Sequence, residues 1–275
     1  MSLFKADMHC HSNFSDGIFT PFELITLAHQ LGLRGLSITD HDSVMSYEDP
    51  KLFSWANKHQ VQLCTGVELS STLKEKSIHV LAYAFTLPNP VLHELCMQYQ
   101  KNRKNRNMAI LHRLEKIGFY IAPEELNTSF PFAVIGRPHI AKILVKKGYI
   151  DTVQKAFNQF LGEKGSCYVP LESPSTQEVI DIIHKAGGKA FLAHPHLIKY
   201  KNILRNLLTL PFDGIECYYA RFSNEHIQYW KRVATERNML ISGGSDYHGL
   251  TVEHNLLGSS WVNEEDFFRI LSMTP

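Results

Sequence analysis

The sequence predicts an α/β fold, an irregular (β/α) barrel with a small inserted helical subdomain. Short strand-like runs alternate with capped amphipathic helices over most of the 275 residues. The alternation lapses once, between Pro88 and Pro170, into an almost wholly helical pattern. Imidazoles and carboxylates recur where the strand-like runs end. Strand–helix alternation builds βα units around a mainly parallel sheet. In a parallel barrel the C-terminal strand ends converge on one face, so residues far apart in sequence meet there. Residues 1–87 and 171–275 are therefore expected to form the barrel, with 88–170 inserted as a helical subdomain. Without the insertion the chain is just too short for a complete eight-unit barrel, which favours fewer or irregular units.

The predicted strands are Phe4–Cys10, Leu33–Thr39, Gln62–Leu69, Ile78–Phe85, Lys189–Ala193, Gly214–Tyr218, Met239–Ser242 and Leu256–Val262. The first helix opens at Thr20-Pro21-Phe22-Glu23, with an N-cap, a proline at the first helical position and a capping-box glutamate. Its inner stripe reads Leu24, Leu27, Ala28 and Leu31, and Gly32 ends it. Ser175-Thr176-Gln177-Glu178 repeats the box ahead of Val179, Ile182, Ile183 and Ala186, and Gly187-Gly188 closes that helix. Within the insertion a long helix is expected from about Val91 to Ile117. Shorter ones follow near Pro138–Lys147 and Asp151–Leu161. No repeat or low-complexity segment is visible.

Lys and Arg total 28 against 27 Asp and Glu, a formal charge of +1. That balance excludes a protein that holds nucleic acid mainly by bulk positive charge, though not one with a local basic patch. The five cysteines (Cys10, Cys64, Cys96, Cys167 and Cys217) are scattered and contain no Cys-x-x-Cys. They read as reduced, mostly buried thiols. With no apolar signal core at the N-terminus and no stretch long enough to span a bilayer, a soluble cytoplasmic protein is expected. The excess is in histidine, with 15 residues.

Asp7-Met8-His9-Cys10-His11 carries the strongest local signal. On a strand, Asp7, His9 and His11 share one face and Met8 and Cys10 the other. Two adjacent imidazoles at a strand end are poor material for a dry core and good material for a divalent metal. The weight comes from recurrence. Asp16, Asp40-His41, Glu68, His79, Ala193-His194-Pro195 and Gly244-Ser245-Asp246-Tyr247-His248 follow. Burying several carboxylates together without cations is prohibitively costly, and metals resolve that cost.

In this order, Asp-x-His-x-His, Asp-His, Gly-x-Glu, an isolated His, Ala-His-Pro and Gly-Ser-Asp-x-His resemble the PHP (polymerase and histidinol phosphatase) family. The match runs over nearly the whole chain. The insertion, with Ile135-Gly136-Arg137-Pro138-His139 inside it, resembles the branch of 3′,5′-nucleoside bisphosphate phosphatases and 5′-to-3′ exoribonucleases. The resemblance implies a distorted seven-stranded barrel with two or three divalent metals, manganese foremost, with iron or zinc as alternatives. It implies that His9, His11, Glu68 and Asp246 hold the first metal, and that Glu68 bridges to a second held by His79 and His194. It gives Asp16, His41 and His248 to a third. Catalysis would rest on Asp16, His41, Glu68, Asp246 and His248. Metals about 4 Å apart, sharing Glu68, would lower the pKa of a bound water so that hydroxide attacks phosphorus. Asp7 and Asp40 are expected behind the ligands, orienting imidazoles; the alternative is a turn or cap at a strand end.

On the long helix, Leu92, Leu95, Tyr99, Ile110, Leu114 and Ile117 fall on one face, and Arg103 and Arg106 share it. Two inward guanidiniums need anions, either substrate phosphate or a carboxylate from a neighbouring helix. Arg137, preceding Pro138 at a predicted helix start, is the third candidate phosphate ligand. Glu216 and Tyr218 either line the pocket or pack at the core edge. The expected partner is a nucleotide or short RNA substrate, with no membrane and no obligate protein partner. Two other readings stand beside it: a small-metabolite phosphatase of the histidinol-phosphatase type, and a non-catalytic metal-binding PHP domain.

Overall fold

A computed structural model describes residues 3–249 and 255–272. Met1 and Ser2, part of the segment read for a targeting signal, lie outside the described residues. The elements run β1 (Ala6–Cys10), α1 (Pro21–Gln30), β2 (Gly35–Ile38), α2 (Lys51–Lys58), β3 (Gln62–Leu63), β4 (Gly66–Leu73) and β5 (Lys76–Tyr83). The helical segment follows as α3 (Pro90–Glu115), α4 (Pro123–Ser129), α5 (Arg137–Lys146) and α6 (Val153–Ala156). The chain then returns to alternation with α7 (Thr176–Lys185), β6 (Lys189–Leu192), α8 (Lys201–Leu207), β7 (Gly214–Tyr219), α9 (Asn224–Glu236), β8 (Leu240–Gly244) and α10 (Glu264–Leu271).

The strands form two sheets, β1-β2-β3 and β4-β5-β6-β7-β8, rather than one closed sheet. Pairing is parallel in the first sheet and from β6 to β8, but β4–β5 and β5–β6 are antiparallel. The expected Gln62–Leu69 strand is two strands. Its first half pairs with β2, and after Thr65 the chain turns into the β4–β5 hairpin. The expected strand Leu256–Val262 is absent apart from a single bridge between Ala6 and Val262. Gly258, at φ +74°, sits in a turn there and donates its N–H to Asp7, which takes Leu256 and Leu257 out of extended geometry.

Local signals explain most helix starts. Thr20 and Ser175 form the reciprocal capping boxes with Glu23 and Glu178. Thr152 caps α6, which passes at once into a wide π turn at Phe157–Leu161, so the helix expected from Asp151 is shorter and irregular. Two stripe residues lie elsewhere: Leu31 is 52% exposed and Ile117 is 46% exposed, each beyond the end of its helix.

α3 straddles two cores. Leu92, Leu95, Cys96 and Tyr99 pack with Val67, Leu69, Val80 and Leu192 of the larger sheet. Ile110, Leu111 and Leu114 join a separate cluster with Ile140, Leu144 and Leu161, drawn wholly from the helical segment. Between these two apolar stretches lie the buried Arg103 and Arg106, and Arg103 reaches Asp42 in the loop after β2.

Candidate metal centre

β1 alternates as the pattern requires. Met8 and Cys10 enter two apolar clusters, and Asp7, His9 and His11 take the polar side. Backbone bonds lace the strand ends together: Asp246 N–H donates to His9 O at 2.7 Å, His11 N–H to Tyr247 O at 2.8 Å, and Asp42 N–H to Glu68 O at 2.9 Å. Gly244 lets β8 come this close, because a Cβ there would stand 2.3 Å from His9 N. Asp246 and His194 themselves adopt the left-handed region, at φ +54° and +28°, a strain typical of residues held for function.

Glu68 is the hub. Its Oε2 lies 3.3 Å from His9 Nε2, 3.4 Å from His11 Nε2 and 3.0 Å from His41 Nδ1. Its Oε1 lies 2.7 Å from His79 Nδ1 and 3.1 Å from His194 Nε2. Asp246 Oδ1 is 3.1 Å from His11 Nε2 and 3.3 Å from His9 Nε2. His248 Nε2 is 3.2 Å from Asp16 Oδ1. The donor atoms fall into three overlapping groups: His9, His11, Glu68 and Asp246; His11, Asp16, His41 and His248; and His41, Glu68 and His79. The structure thus brings all nine sequence-predicted ligands to one place. It also sets His41 between two groups and brings His11 into the group with Asp16.

Glu68 and His79 do not sit at strand ends, as the barrel pattern expects. Glu68 is the third residue of β4 and His79 the fourth of β5, and both reach the mouth from within the antiparallel hairpin. The imidazoles hold the carboxyls of Asp16, Glu68 and Asp246 well below the ordinary range, although burial alone would raise them. Burial dominates at His41 and pushes it down to about 3. Among the described residues, buried His41 Nδ1 makes no well-aligned hydrogen bond although it lies 3.0 Å from Glu68 Oε2. Donor atoms within 4.8 Å of one another in each group, in a set of hard carboxylates and borderline imidazoles, fit divalent metals.

Asp7 and Asp40 are behind the ligands, but neither touches an imidazole. Asp7 accepts the N–H groups of His9, Ser245 and Gly258, at 3.2, 2.9 and 2.8 Å, and burial pushes it up to about 6. Asp40 accepts the hydroxyls of Ser12, Ser15 and Ser46, and Ser15 Oγ in turn stands 3.5 Å from His11 Nδ1. Asp7 therefore fixes backbone, and Asp40 reaches His11 through Ser15. The direct imidazole contact belongs to Glu216, which accepts from His9 Nδ1 at 2.8 Å and from His194 N–H at 2.6 Å. With Nδ1 as donor, His9 keeps the Nε2 lone pair for the centre. A β-bulge between Glu216 and Tyr218 turns Tyr219, not Tyr218, inward, and its hydroxyl donates to Asp246 at 2.7 Å. Strand parity alone could not show that.

The three arginines divide. Arg103 donates through Nε and Nη2 to Asp42 and through Nη2 to Ser70, so its anion is a protein carboxylate from the loop after β2. Arg106 is equally buried, yet its Nε and Nη2 have no hydrogen-bond partner among the described residues, and burial together with Arg103 and Arg137 pushes it down to about 9. Arg137 lies over the rings of Phe157 and Tyr168 and donates to Leu161 O. All three line a cavity of about 120 Å³ with Asp16, His41 and His79. His139 is buried and links Gly136 N–H to Ser15 O. A larger cavity of about 630 Å³, between α3, the 43–48 loop and residues 123–135, is lined by none of the nine candidate ligands.

A centre of carboxylates and imidazoles beside buried arginines, in a mixed α/β frame, defines a metal-dependent phosphoester hydrolase. Residues 7–215 match the PHP domain, and the chain belongs to that family. It is 30% identical over 249 residues to the 5′-3′ exoribonuclease of Haemophilus influenzae, covering 89% of this chain and 90% of that one. It is 26% identical over 255 residues to the 3′,5′-nucleoside bisphosphate phosphatase of Chromobacterium violaceum, covering 88% and 86%. A candidate metal-dependent phosphoesterase from Bifidobacterium adolescentis has a TM-score of 0.87 at 29% identity, over 97% of this chain and 95% of that one. Among the described residues no helix is long and apolar enough to cross a membrane.

Proposed function

We propose that the chain hydrolyses phosphate esters of nucleotides or short RNA, as a 3′,5′-nucleoside bisphosphate phosphatase or a 5′-to-3′ exoribonuclease. The observation that carries this reading is the adjacency of two features at one cavity: Asp16, His41 and His79 of the ligand cluster, and Arg106, whose buried Nε and Nη2 have no hydrogen-bond partner among the described residues. A simple phosphomonoester presents one phosphate to the metals and leaves Arg106 without an anion. A substrate with a second phosphate satisfies both.

His9, His11, Glu68 and Asp246 would hold one divalent ion, His79 and His194 with Glu68 a second, and Asp16, His41 and His248 a third. Manganese is the first choice, with iron or zinc as alternatives. Such ions supply Lewis acidity at phosphorus and a water acidic enough to attack near neutral pH. Glu68 neutralises and spaces the centre, and Glu216 keeps His9 in the tautomer that leaves Nε2 free. Tyr219 orients Asp246. Arg106 and Arg137 fix the second phosphate, while Arg103, engaged by Asp42, ties α3 to the loop bearing His41. Residues 88–170 act as an insertion over the mouth of a distorted barrel. In support, the isolated bridges Cys10–Tyr247 and His41–Glu68 join its two sheets at both junctions. Five buried, unbridged cysteines suit a reducing cytoplasm.

The test is a substrate panel on metal-reconstituted protein: adenosine 3′,5′-bisphosphate, a 5′-phosphorylated oligoribonucleotide and histidinol phosphate, with His9→Ala as the control. Turnover of either of the first two is expected. Turnover of histidinol phosphate alone would replace this reading with that of a small-metabolite phosphatase, and no turnover at all would leave a metal-binding domain.

A further inference from the structure

The tip of the β4–β5 hairpin and the loop before α8 meet at one edge of the mouth. Lys76 places its ammonium 4.7 Å from the centroid of the Tyr200 ring and 3.3 Å from Glu163 of the helical segment. Glu75 and Ser77, on either side of Lys76, line the cavity that holds Asp16, Arg106 and Arg137. The loop itself is built to present a ring: Ile198 packs on the main core cluster and Ile203 is buried, while Lys199, Tyr200, Lys201 and Asn202 between them are exposed. Tyr200 keeps 45% of its surface in solvent. Exposed Lys74 stands at the hairpin turn. Against the four lysines of this edge stand Glu75 and Glu163, so the edge is basic on a chain that is nearly neutral.

We propose that this edge is a track for single-stranded nucleic acid beyond the scissile phosphate, with Tyr200 stacking a base and Lys199 and Lys201 pairing with phosphates. An accessible ring set among ammonium groups is how single strands are held without regard to sequence. A bisphosphorylated mononucleotide is accommodated at the metal centre and Arg106, and only a longer chain reaches the rim. The proposal rests on the nucleotide reading above and sharpens it toward a polynucleotide substrate.

The experiment compares wild type with Tyr200→Ala, Tyr200→Phe and the Lys199→Gln/Lys201→Gln pair. Binding of a fluorescent 5′-phosphorylated decaribonucleotide is followed by anisotropy in chelator, where no turnover occurs. KM is measured with manganese on the unlabelled decamer and on adenosine 3′,5′-bisphosphate. Tyr200→Ala and the lysine pair should each weaken RNA binding and raise the decamer KM roughly 10-fold, with mononucleotide kinetics unchanged. The slope of log affinity against log salt should fall by about 1.4 in the lysine pair. Tyr200→Phe, which keeps the stacking surface, should bind like wild type. RNA binding unaltered in the variants, or equal losses on both substrates, would overturn the track. Turnover of the bisphosphate by a wild-type protein that does not bind RNA overturns the track and leaves the phosphatase. RNA binding that needs Tyr200, in a protein that hydrolyses neither substrate, upholds the track and overturns the catalytic reading.

Discussion

Glu68 is the side chain on which five imidazoles converge, those of His9, His11, His41, His79 and His194. Glu68→Gln keeps its shape and hydrogen-bonding reach but removes the charge that two metals would share. Activity should fall more than about 100-fold, and bound metal should drop below the wild-type stoichiometry in elemental analysis. Glu216 acts one contact further out, through His9 Nδ1 and the His194 N–H. Glu216→Gln can still accept from His9 but offers His194 no second carboxylate oxygen, so metal affinity should weaken roughly 10-fold, read by competition with a metal indicator. Retained affinity in that variant would reduce Glu216 to core packing. Arg106→Ala should raise KM for adenosine 3′,5′-bisphosphate by about 10- to 100-fold, the range of a charge-assisted hydrogen bond, and leave kcat nearly intact. That the nine candidate ligands gather in one place was legible because each is a distinctive residue type in or next to a strand. Glu216 was readable as one of two alternatives, but Tyr219 was not, because a bulge in β7 reverses the parity on which a reading of Tyr218 depends.

At the scale of elements, capping boxes and stop glycines mark helices by local chemistry, so α1 and α7 were readable from a few residues each. Strand direction has no comparable local signature. Nothing in Gly66–Leu73 or Lys76–Tyr83 distinguishes a parallel strand from half of a hairpin except the short turn at Lys74-Glu75, both of which take positive φ. That is why a mainly parallel barrel was expected and a sheet with two antiparallel pairings is found. The hairpin matters to the site, since it brings Glu68 and His79 to the mouth from mid-strand. The β1–β8 approach is as demanding. A Cβ at Gly244 would meet both the His9 backbone and Asp7 Oδ1, at 2.3 and 2.7 Å. Gly244→Ala should therefore push β8 away from β1 and move Asp246 relative to His9. The expected outcome is a loss of metal binding larger than the loss of helical signal, compared by metal titration and circular dichroism on the same sample. Full metal binding in Gly244→Ala would show that the two strands can part without disturbing the centre.

For the whole molecule, the centre is also a structural joint. Its candidate ligands come from β1, the loops after β1 and β2, the hairpin, and the segments following β6 and β8, and thus from both sheets. Two sheets whose lateral pairing, among the described residues, is limited to isolated bridges gain a cross-link when one cation draws on both of them, as His9, His11, Glu68 and Asp246 would allow. A ligand that binds the folded state alone stabilises it by about 2.7 kcal/mol at 100 times its dissociation constant. For a domain of this size that corresponds to a rise in Tm of roughly 5–10 °C. Manganese added to chelator-treated protein should produce this rise, measured by scanning calorimetry. His11→Ala, which removes a donor shared by two groups, should abolish most of it, whereas Arg106→Ala, which touches no ligand, should leave it intact. The contrast separates the two halves of the cavity: metal binding reports on the joint between the sheets, and phosphate binding reports on α3. A Tm indifferent to manganese in a protein that nonetheless requires manganese for turnover would mean that the sheets are held by their apolar clusters alone, and that the cations enter only as catalytic partners.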